Sequence, residues 1–130
     1  MHDVLIAQGF SELIQWLWPK LIQQELDQLR DHFNNHYVRK DRNKKNPSGV
    51  APNVAMALPH KYNGVNCLQA VDASLIWKLK DDLGGDDLIK FVSEEFEMQA
   101  QEAFDSLGVT LALDNVWVVF QAMRRIMYGY

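Results

Sequence analysis

The amino-acid sequence predicts an all-α fold, a compact bundle of about five helices with two long irregular connections. Apolar residues recur at helical spacing in several segments, and capping residues and glycines bracket most of these segments. Turn residues instead concentrate in two stretches without periodicity. With 130 residues, of which 48% are apolar and 23% charged, the chain fits one domain with a conventional core. We therefore expect a single helical domain over residues 1–130.

The first two helices are predicted on either side of a proline. Apolar residues from Val4 to Leu17 follow helical spacing, and Pro19 fits best in the first turn of a helix. We expect one helix to end near Trp18 and a second to begin at Pro19. The second helix has its apolar residues at offsets of four, three and four, namely Ile22, Leu26, Leu29 and Phe33. This single stripe is expected to face the core, and the helix to end at about His36 or Tyr37.

An irregular basic loop is predicted over residues 38–53, because periodicity is lost there and Asn46-Pro47-Ser48-Gly49 has turn chemistry. A loop of this length is often functional. A short helix is then expected from Pro52 to Leu58, and Pro59 would end it.

Three more helices are predicted in the second half of the chain. After an irregular stretch over residues 60–71, Asp72 is a candidate N-cap for a helix over 73–83, and Gly84 supplies the left-handed position that ends it. Asp86 or Asp87 is expected to cap the next helix, which Gly108 ends. The final segment VWVVFQAMRRIMYGY could be a buried strand, but Asp114 as a cap, Arg124 and Arg125 in the last turns and its length favour a helix.

Composition favours an intracellular protein, nuclear or cytoplasmic. The single cysteine, Cys67, cannot form an intramolecular disulfide, and the first thirty residues lack the pattern of a secretory signal. No run of about eighteen apolar residues is present, so we expect no membrane span. The formal charge of −4 is uneven, because residues 1–65 hold eight Lys/Arg and six Asp/Glu whereas residues 66–130 hold five and eleven. An acidic total argues against nucleic-acid binding by the whole surface, but a local basic cluster can still contact phosphates.

The stretch DHFNNHYVRKDRNKK, residues 31–45, contains both candidate sites. His32 and His36 would share a helix face and could ligate one divalent metal. Phe33 stands where a zinc-protease motif has glutamate, and a third ligand could come only through the fold, from Asp31, Glu25 or His60. Surface histidines at a helix end explain the same pattern, and no cofactor is otherwise implied.

Five cations lie within the seven residues 39–45, namely Arg39, Lys40, Arg42, Lys44 and Lys45. A solvated loop after a helix C-terminus, where the helix dipole favours positive charge, explains them without a function. The functional interpretation is phosphate contact, with Asn34, Asn35 and Tyr37 as neighbouring hydrogen-bonding or stacking groups.

Other motifs carry weaker indications. The pairs Asp81-Asp82 and Asp86-Asp87 could suggest a cation site, but capping explains the second pair. Cys67 has no histidine at a spacing that would mark a nucleophile. No glycine-rich phosphate loop or serine-centred hydrolase motif occurs in the sequence.

Five stretches together resemble a known family: WLWPK at 16–20, FNNHYVRK at 33–40, PSGVAPNVAMALP at 47–59, GVNCLQAVD at 64–72 and LDNVWVVF at 113–120. They are similar to the C-terminal region of integrase-core-like proteins encoded by transposon-derived genes of mushroom-forming (basidiomycete) fungi. In that family an upstream RNase H-like module holds the metal-binding carboxylates, so the resemblance implies no catalytic residue in this chain. It does imply that the basic motif of Asn34, Asn35, His36, Arg39 and Lys40 lies near nucleic acid. The chain departs from the usual motif at Phe33, where tryptophan is common, and at Tyr37, where arginine is common.

Three functions remain open from the sequence. The first is a non-catalytic, integrase-derived helical module that binds nucleic acid weakly through the five loop cations. The second is a small metal-dependent nuclease that uses His32 and His36. The third is a protein-interaction or homodimerisation module that uses aromatic residues such as Trp16, Trp18 and Trp117.

Overall fold

A computed structural model describes the backbone of residues 2–130 and the side chains of residues 9–130. Within this part of the chain, the five α-helices are α1 (His2–Asn35), α2 (Pro52–Ala57), α3 (Ala73–Asp82), α4 (Glu94–Leu107) and α5 (Val116–Tyr128). Short 3₁₀ helices cover Pro59–Tyr62 and Gly85–Ile89. No strand occurs within the described backbone. The predicted all-α fold of about five helices with two long irregular connections is therefore confirmed.

The chain divides into two compact units, one formed by Met1–Gln24 with Lys78–Tyr130 and the other by Glu25–Trp77. The prediction of a single domain stays a prediction. The core of the first unit combines side chains from α1, α4 and α5 with one from the α4–α5 connection: Leu13, Trp16, Leu17, Leu21, Phe96, Ala100, Ala103, Leu111, Val116, Val119, Phe120 and Met123. In the second unit, whose residues are all described, Val50 is the one buried side chain.

The predicted helix break at Pro19 is wrong, because α1 continues through this residue. Proline removes one intrahelical hydrogen bond and costs about 3 kcal/mol in a helix interior. Leu17 and Leu21 flank Pro19 and are both buried in the same core. Each such burial stabilises the fold by roughly 1.5–3 kcal/mol, so the packing on both sides offsets the cost of the proline.

The expected burial of the α1 stripe is also wrong. α1 ends at Asn35, close to the predicted boundary, and the stripe lies on it as expected. However, the side chains of Ile22, Leu26, Leu29 and Phe33 are between 53% and 61% exposed. The spacing of apolar residues determines which side of a helix they share, but it does not determine what covers that side.

The start of α4 differs from the prediction. Asp86 and Asp87 lie in the 3₁₀ helix Gly85–Ile89, and α4 begins only at Glu94. Its N-cap is Ser93, whose Oγ accepts a hydrogen bond from the amide of Phe96 at 3.2 Å. The end of α4 at Gly108 is as predicted.

The boundaries of α3 follow the prediction more closely. Asp72 Oδ1 accepts a 2.9 Å hydrogen bond from the amide of Ser74, which is the geometry of an N-terminal cap. Gly84 has a φ of 115°, in the left-handed region that follows a helix end.

The last segment is a helix rather than a strand, as predicted. Its buried residues Val116, Val119, Phe120 and Met123 have helical spacing and join the core of the first unit. The residue at the N-cap is Asn115 rather than Asp114. The Asn115 side chain instead closes the preceding turn, because it accepts from the amide of Ala112 at 2.9 Å and donates to the carbonyl of Thr110 at 2.7 Å.

Candidate nucleic-acid interface

Backbone hydrogen bonds join the first residue of the basic loop to residues 49 and 50. The amide of Val38 donates to the carbonyl of Val50 at 3.2 Å, and the amide of Gly49 donates to the carbonyl of Val38 at 2.8 Å. Val50 is buried, so this end of the loop is anchored by an apolar side chain as well as by backbone hydrogen bonds. The backbone of residues 38–50 therefore forms a closed loop.

Side-chain hydrogen bonds brace the interior of the loop. Ser48 Oγ accepts from the amide of Asp41 at 2.9 Å and donates to the carbonyl of Asp41 at 2.8 Å. Asp41 Oδ1 in turn accepts from the amide of Asn43 at 2.9 Å, which is an Asx turn. The two Ser48 bonds join positions 41 and 48 across the loop, and the Asx turn stabilises the backbone beside them.

Gly49 is required by both conformation and space. Its φ of +75° lies in the left-handed region that favours glycine. A Cβ at this position would lie 3.2 Å from Cβ of Lys40 and 3.5 Å from the hydroxyl oxygen of Tyr37. The close approach of Gly49 thus brings the end of the loop against the start of its basic segment.

All five predicted cations are exposed, namely Arg39, Lys40, Arg42, Lys44 and Lys45. None of them forms an ion pair with the described residues. Residues 32–71 contain six Lys/Arg and one Asp/Glu, which is Asp41. The loop therefore presents positive charge that the surrounding sequence does not neutralise, and such charge favours contact with phosphates.

The two neighbouring asparagines and His36 have different environments. Asn35 donates from Nδ2 to the carbonyl of Asp31 at 2.8 Å, and its Oδ1 accepts from Asn53 Nδ2 at 2.9 Å. Asn35 thus ties the end of α1 to the start of α2, whereas Asn34 is half-buried. The ring of His36 lies against the ring of Phe33, with centroids 5.2 Å apart. Among the predicted polar neighbours, Asn35 has a clear structural role.

Lys61 was not predicted as a site residue. It is exposed and belongs to the same compact unit as the loop. It is the one Lys/Arg between residues 46 and 77, so it is separated in sequence from the five loop cations. It lies in the 3₁₀ helix Pro59–Tyr62, which the sequence predicted as part of an irregular stretch.

The candidate metal ligands have no third partner among the described residues. The rings of His32 and His36 are stacked, with centroids 6.4 Å apart and an interplanar angle of 16°. Nδ1 of His36 faces the carbonyl oxygen of Phe33. No group of three or more His, Cys, Asp or Glu residues in the described part of the chain is arranged to hold a metal ion. Asp31 lies beside Arg30 at 3.3 Å rather than completing a site with the histidines.

The acidic residues at the α3 boundary form ion pairs. Lys80 Nζ contacts Asp86, and the hydrogen bond and charge of Lys80 hold the pKa of Asp86 below its ordinary value. Lys90 Nζ lies 3.3 Å from Asp87, whose hydrogen bond and charge raise the pKa of Lys90. The amide and hydroxyl of Ser74 lower the pKa of Asp72 through hydrogen bonds. Each of these three carboxylates therefore has a partner within the protein, a lysine for Asp86 and Asp87 and the start of α3 for Asp72.

Cys67 is exposed, and its Sγ lies 3.5 Å from the carbonyl oxygen of Val65. No described helix is both long and apolar enough to cross a membrane. No protein-family model matches the chain, and no curated protein or solved structure matches it either.

Proposed function

We propose that this chain is a non-catalytic helical module that binds nucleic acid weakly through its basic loop, residues 38–53. The observation that carries the proposal is the combination of five exposed cations, none in an ion pair with the described residues, with a loop closed between Val38 and Val50. Binding to phosphates releases counterions, so a compact cluster of Lys and Arg gives affinity without sequence readout. We further propose an origin among transposon-derived, integrase-core-like proteins of fungi, on the sequence resemblance alone, and a nuclear or cytoplasmic location.

The closed loop favours binding because its backbone is already ordered. A flexible segment loses conformational entropy when it binds, whereas a preorganised loop loses less. Tyr37, exposed at the start of the loop, adds an aromatic face on which an unpaired base can stack. These features support contact with backbone phosphates and single-stranded regions rather than recognition of a base sequence.

The nuclease alternative has less support. It requires His32, His36 and a third ligand around a divalent metal, and the described residues bring no such group together.

The test is a titration with duplex DNA, single-stranded DNA and RNA at several salt concentrations. On duplex DNA, each phosphate contact contributes roughly 0.9 to the slope of log affinity against log salt. Replacing the five loop cations with serine is expected to abolish the binding. Absence of binding at low salt, or unchanged affinity in the five-serine variant, would refute the proposal.

A matched control separates the loop from net charge. The variant with Lys44→Ser and Lys45→Ser loses two positive charges from the loop, and the variant with Lys78→Ser and Arg125→Ser loses two exposed charges elsewhere. The first variant is expected to lower the affinity and the salt slope, and the second to leave both nearly unchanged. Equal effects of the two variants would show that the loop has no special role.

A second candidate function is a protein-interaction or homodimerisation module. It is favoured by the exposed apolar stripe on α1, since large apolar patches on a soluble surface commonly mark interaction sites. Of the aromatic residues expected at such a surface, Trp117 is 63% exposed. Trp16 is buried in the core, and Trp18 packs edge-on against Trp117 with centroids 4.8 Å apart. Sedimentation of the protein at several concentrations tests this candidate.

A further inference from the structure

The exposed stripe of α1 has the spacing of a coiled coil. Ile22 and Leu29 are seven residues apart, as are Leu26 and Phe33, and the two pairs alternate at offsets of four and three. In heptad notation Ile22 and Leu29 occupy d positions, while Leu26 and Phe33 occupy a positions. Each of the four side chains is more than half exposed, so the seam is open along its whole length.

The charged residues that flank the seam indicate the orientation of a partner helix. Glu25 is then a g position and Arg30 the e position of the following heptad, five residues later. In a parallel two-stranded coiled coil, each g residue lies beside this e residue of the partner helix. Two identical helices would therefore form two Glu25–Arg30 pairs, one on each side of the seam.

An antiparallel arrangement lacks this charge complementarity. Aligning the two stripes in opposite directions places Glu25 near His32 and Arg30 near Gln23 of the other helix, because g then faces g and e faces e. No carboxylate–guanidinium pair results at these positions. Within its own helix, Arg30 contacts Asp27 at 3.2 Å and Asp31 at 3.3 Å, and its side chain is 62% exposed, so it remains accessible to a partner.

We propose that a second copy of this chain covers the α1 stripe and forms a short parallel two-stranded coiled coil over residues 22–33. This inference deepens the second candidate function, because it names the partner and the surface. It also bears on the proposed binding of nucleic acid by the basic loop. Parallel pairing places the two C-terminal ends of α1, and the basic loops that follow them, at the same end of the dimer. Two loops on one nucleic acid would bind with an avidity that a single loop lacks.

The dimer is tested without nucleic acid by analytical ultracentrifugation over a range of protein concentrations. The wild-type chain is expected to show a monomer–dimer equilibrium, and the variant with Leu26→Glu and Leu29→Glu to stay monomeric. Leu68→Glu, which changes a leucine that is 90% exposed outside the stripe, is the matched control and should dimerise normally. Circular dichroism of each variant checks that the helices remain folded. A wild-type monomer at all concentrations, or a dimer that survives both stripe substitutions, would refute the proposal.

Charge exchange tests the flanking pairs. Glu25→Arg alone and Arg30→Glu alone are each expected to weaken self-association, because each places like charges side by side. A mixture of these two variants should form a heterodimer, since one helix then carries arginine at both flanking positions and the other carries glutamate at both. Each flanking pair of the heterodimer therefore joins an arginine to a glutamate. Failure of the mixture to associate better than either variant alone would rule out the proposed pairing.

Disulfide trapping tests the orientation. In a Cys67→Ser background, Leu29→Cys places a thiol at a d position, and d positions of a parallel dimer face each other across the axis. This variant is expected to form a disulfide-linked dimer under mild oxidation. Cross-linking only when Leu26→Cys and Leu29→Cys variants are mixed would instead show an antiparallel dimer and contradict the proposal.

The dimer and the nucleic-acid function can fail separately. The five-serine loop variant should still dimerise, whereas a monomeric variant with Leu26→Ser and Leu29→Ser, which changes no charge, should keep a single basic loop and bind duplex DNA about tenfold more weakly. Dimerisation of a chain that binds no nucleic acid would leave the stripe proposal intact and remove only its consequence. Equal DNA affinity of dimer and monomer would overturn the inferred avidity.

Discussion

The hydroxyl of Tyr128 donates a 3.0 Å hydrogen bond to the backbone carbonyl of Gly9 and so joins residues 119 positions apart in the sequence. A Cβ added at Gly9 would lie 3.0 Å from both Cζ and the hydroxyl oxygen of the Tyr128 ring. The absence of a side chain at Gly9 therefore allows the end of α5 to approach α1 closely. Phe10 packs edge-on against the same ring, with centroids 6.3 Å apart.

Gly9→Ala is expected to lower the free energy of unfolding in the wild-type chain, because the new methyl group must displace the Tyr128 ring. In a Tyr128→Leu background, the same substitution should raise this free energy by up to about 1 kcal/mol, since alanine is the better helix former. Urea unfolding of the four proteins in this cycle measures the coupling. A gain in both backgrounds would show that the Tyr128 ring does not constrain position 9.

The stability of the first unit should fall at high pH through Tyr128. Burial, with a smaller contribution from the charge of Glu12, raises the pKa of its hydroxyl above 10.0. The folded state therefore favours the protonated phenol, and its contribution is fully present below about pH 10 and is lost as the pH rises through the raised pKa. Urea unfolding from pH 8 to 11 should show a steeper loss of stability for the wild type than for Tyr128→Phe. Parallel pH profiles would contradict this assignment.

Two methionines provide a matched test of the core. Met123 in α5 is 0% exposed, and Met98 in α4 is 69% exposed. Met123→Ala is expected to lower the free energy of unfolding by about 2–5 kcal/mol, because it removes buried contacts and leaves a cavity. Met98→Ala should change it by less than about 0.5 kcal/mol, as is usual at the surface. Chemical denaturation measures both values, and similar losses would place Met98 in a buried interface.

Ser48 is expected to order the basic loop. Ser48→Ala removes both hydrogen bonds between this hydroxyl and the backbone of Asp41. The amide of Asp41 should then exchange faster with deuterium, and the affinity for nucleic acid should fall although no charge changes. Native-state hydrogen exchange followed by NMR gives the first result, with the amide of Phe96 in α4 as an internal reference. Unchanged exchange at Asp41 would show that the loop is held by its anchored ends alone.

The histidine pair is expected not to determine metal affinity. Replacing His32 and His36 with alanine should leave the binding of Zn²⁺, measured by isothermal titration calorimetry, unchanged, because a third protein ligand is needed for a stable site. Loss of a stoichiometric Zn²⁺ site in this double variant would instead restore the nuclease hypothesis.

Several local features were predictable because they depend on neighbouring residues alone. Asp72 caps α3 and Gly84 adopts the left-handed conformation after it, as their residue types indicate. The charge of the basic loop is also a property of the sequence. Its closure was not predictable, because the hydrogen bonds between Val38 and Val50 and between Asp41 and Ser48 join residues that no local pattern relates.

The start of α4 was predicted too early in the sequence, because more than one residue near it can cap a helix. Asp86 or Asp87 was predicted as the cap, and the observed cap is Ser93, whose residue type is equally suited to an N-cap. The ion pair with Lys80 engages Asp86, whereas Ser93 caps the helix. Both residue types suit an N-cap, so residue type alone did not decide between them.

The sequence by itself determined the all-α class, most helix positions and the uneven distribution of charge, because helical spacing, capping and charge act over a few neighbouring residues. Only the tertiary structure decided that α1 continues through Pro19 and that its stripe from Ile22 to Phe33 is exposed. Both outcomes depend on what packs against a helix. Leu17 and Leu21 lie in a core that stabilises α1 on both sides of the proline. No comparable packing buries the four side chains of the stripe, each of which is more than half exposed.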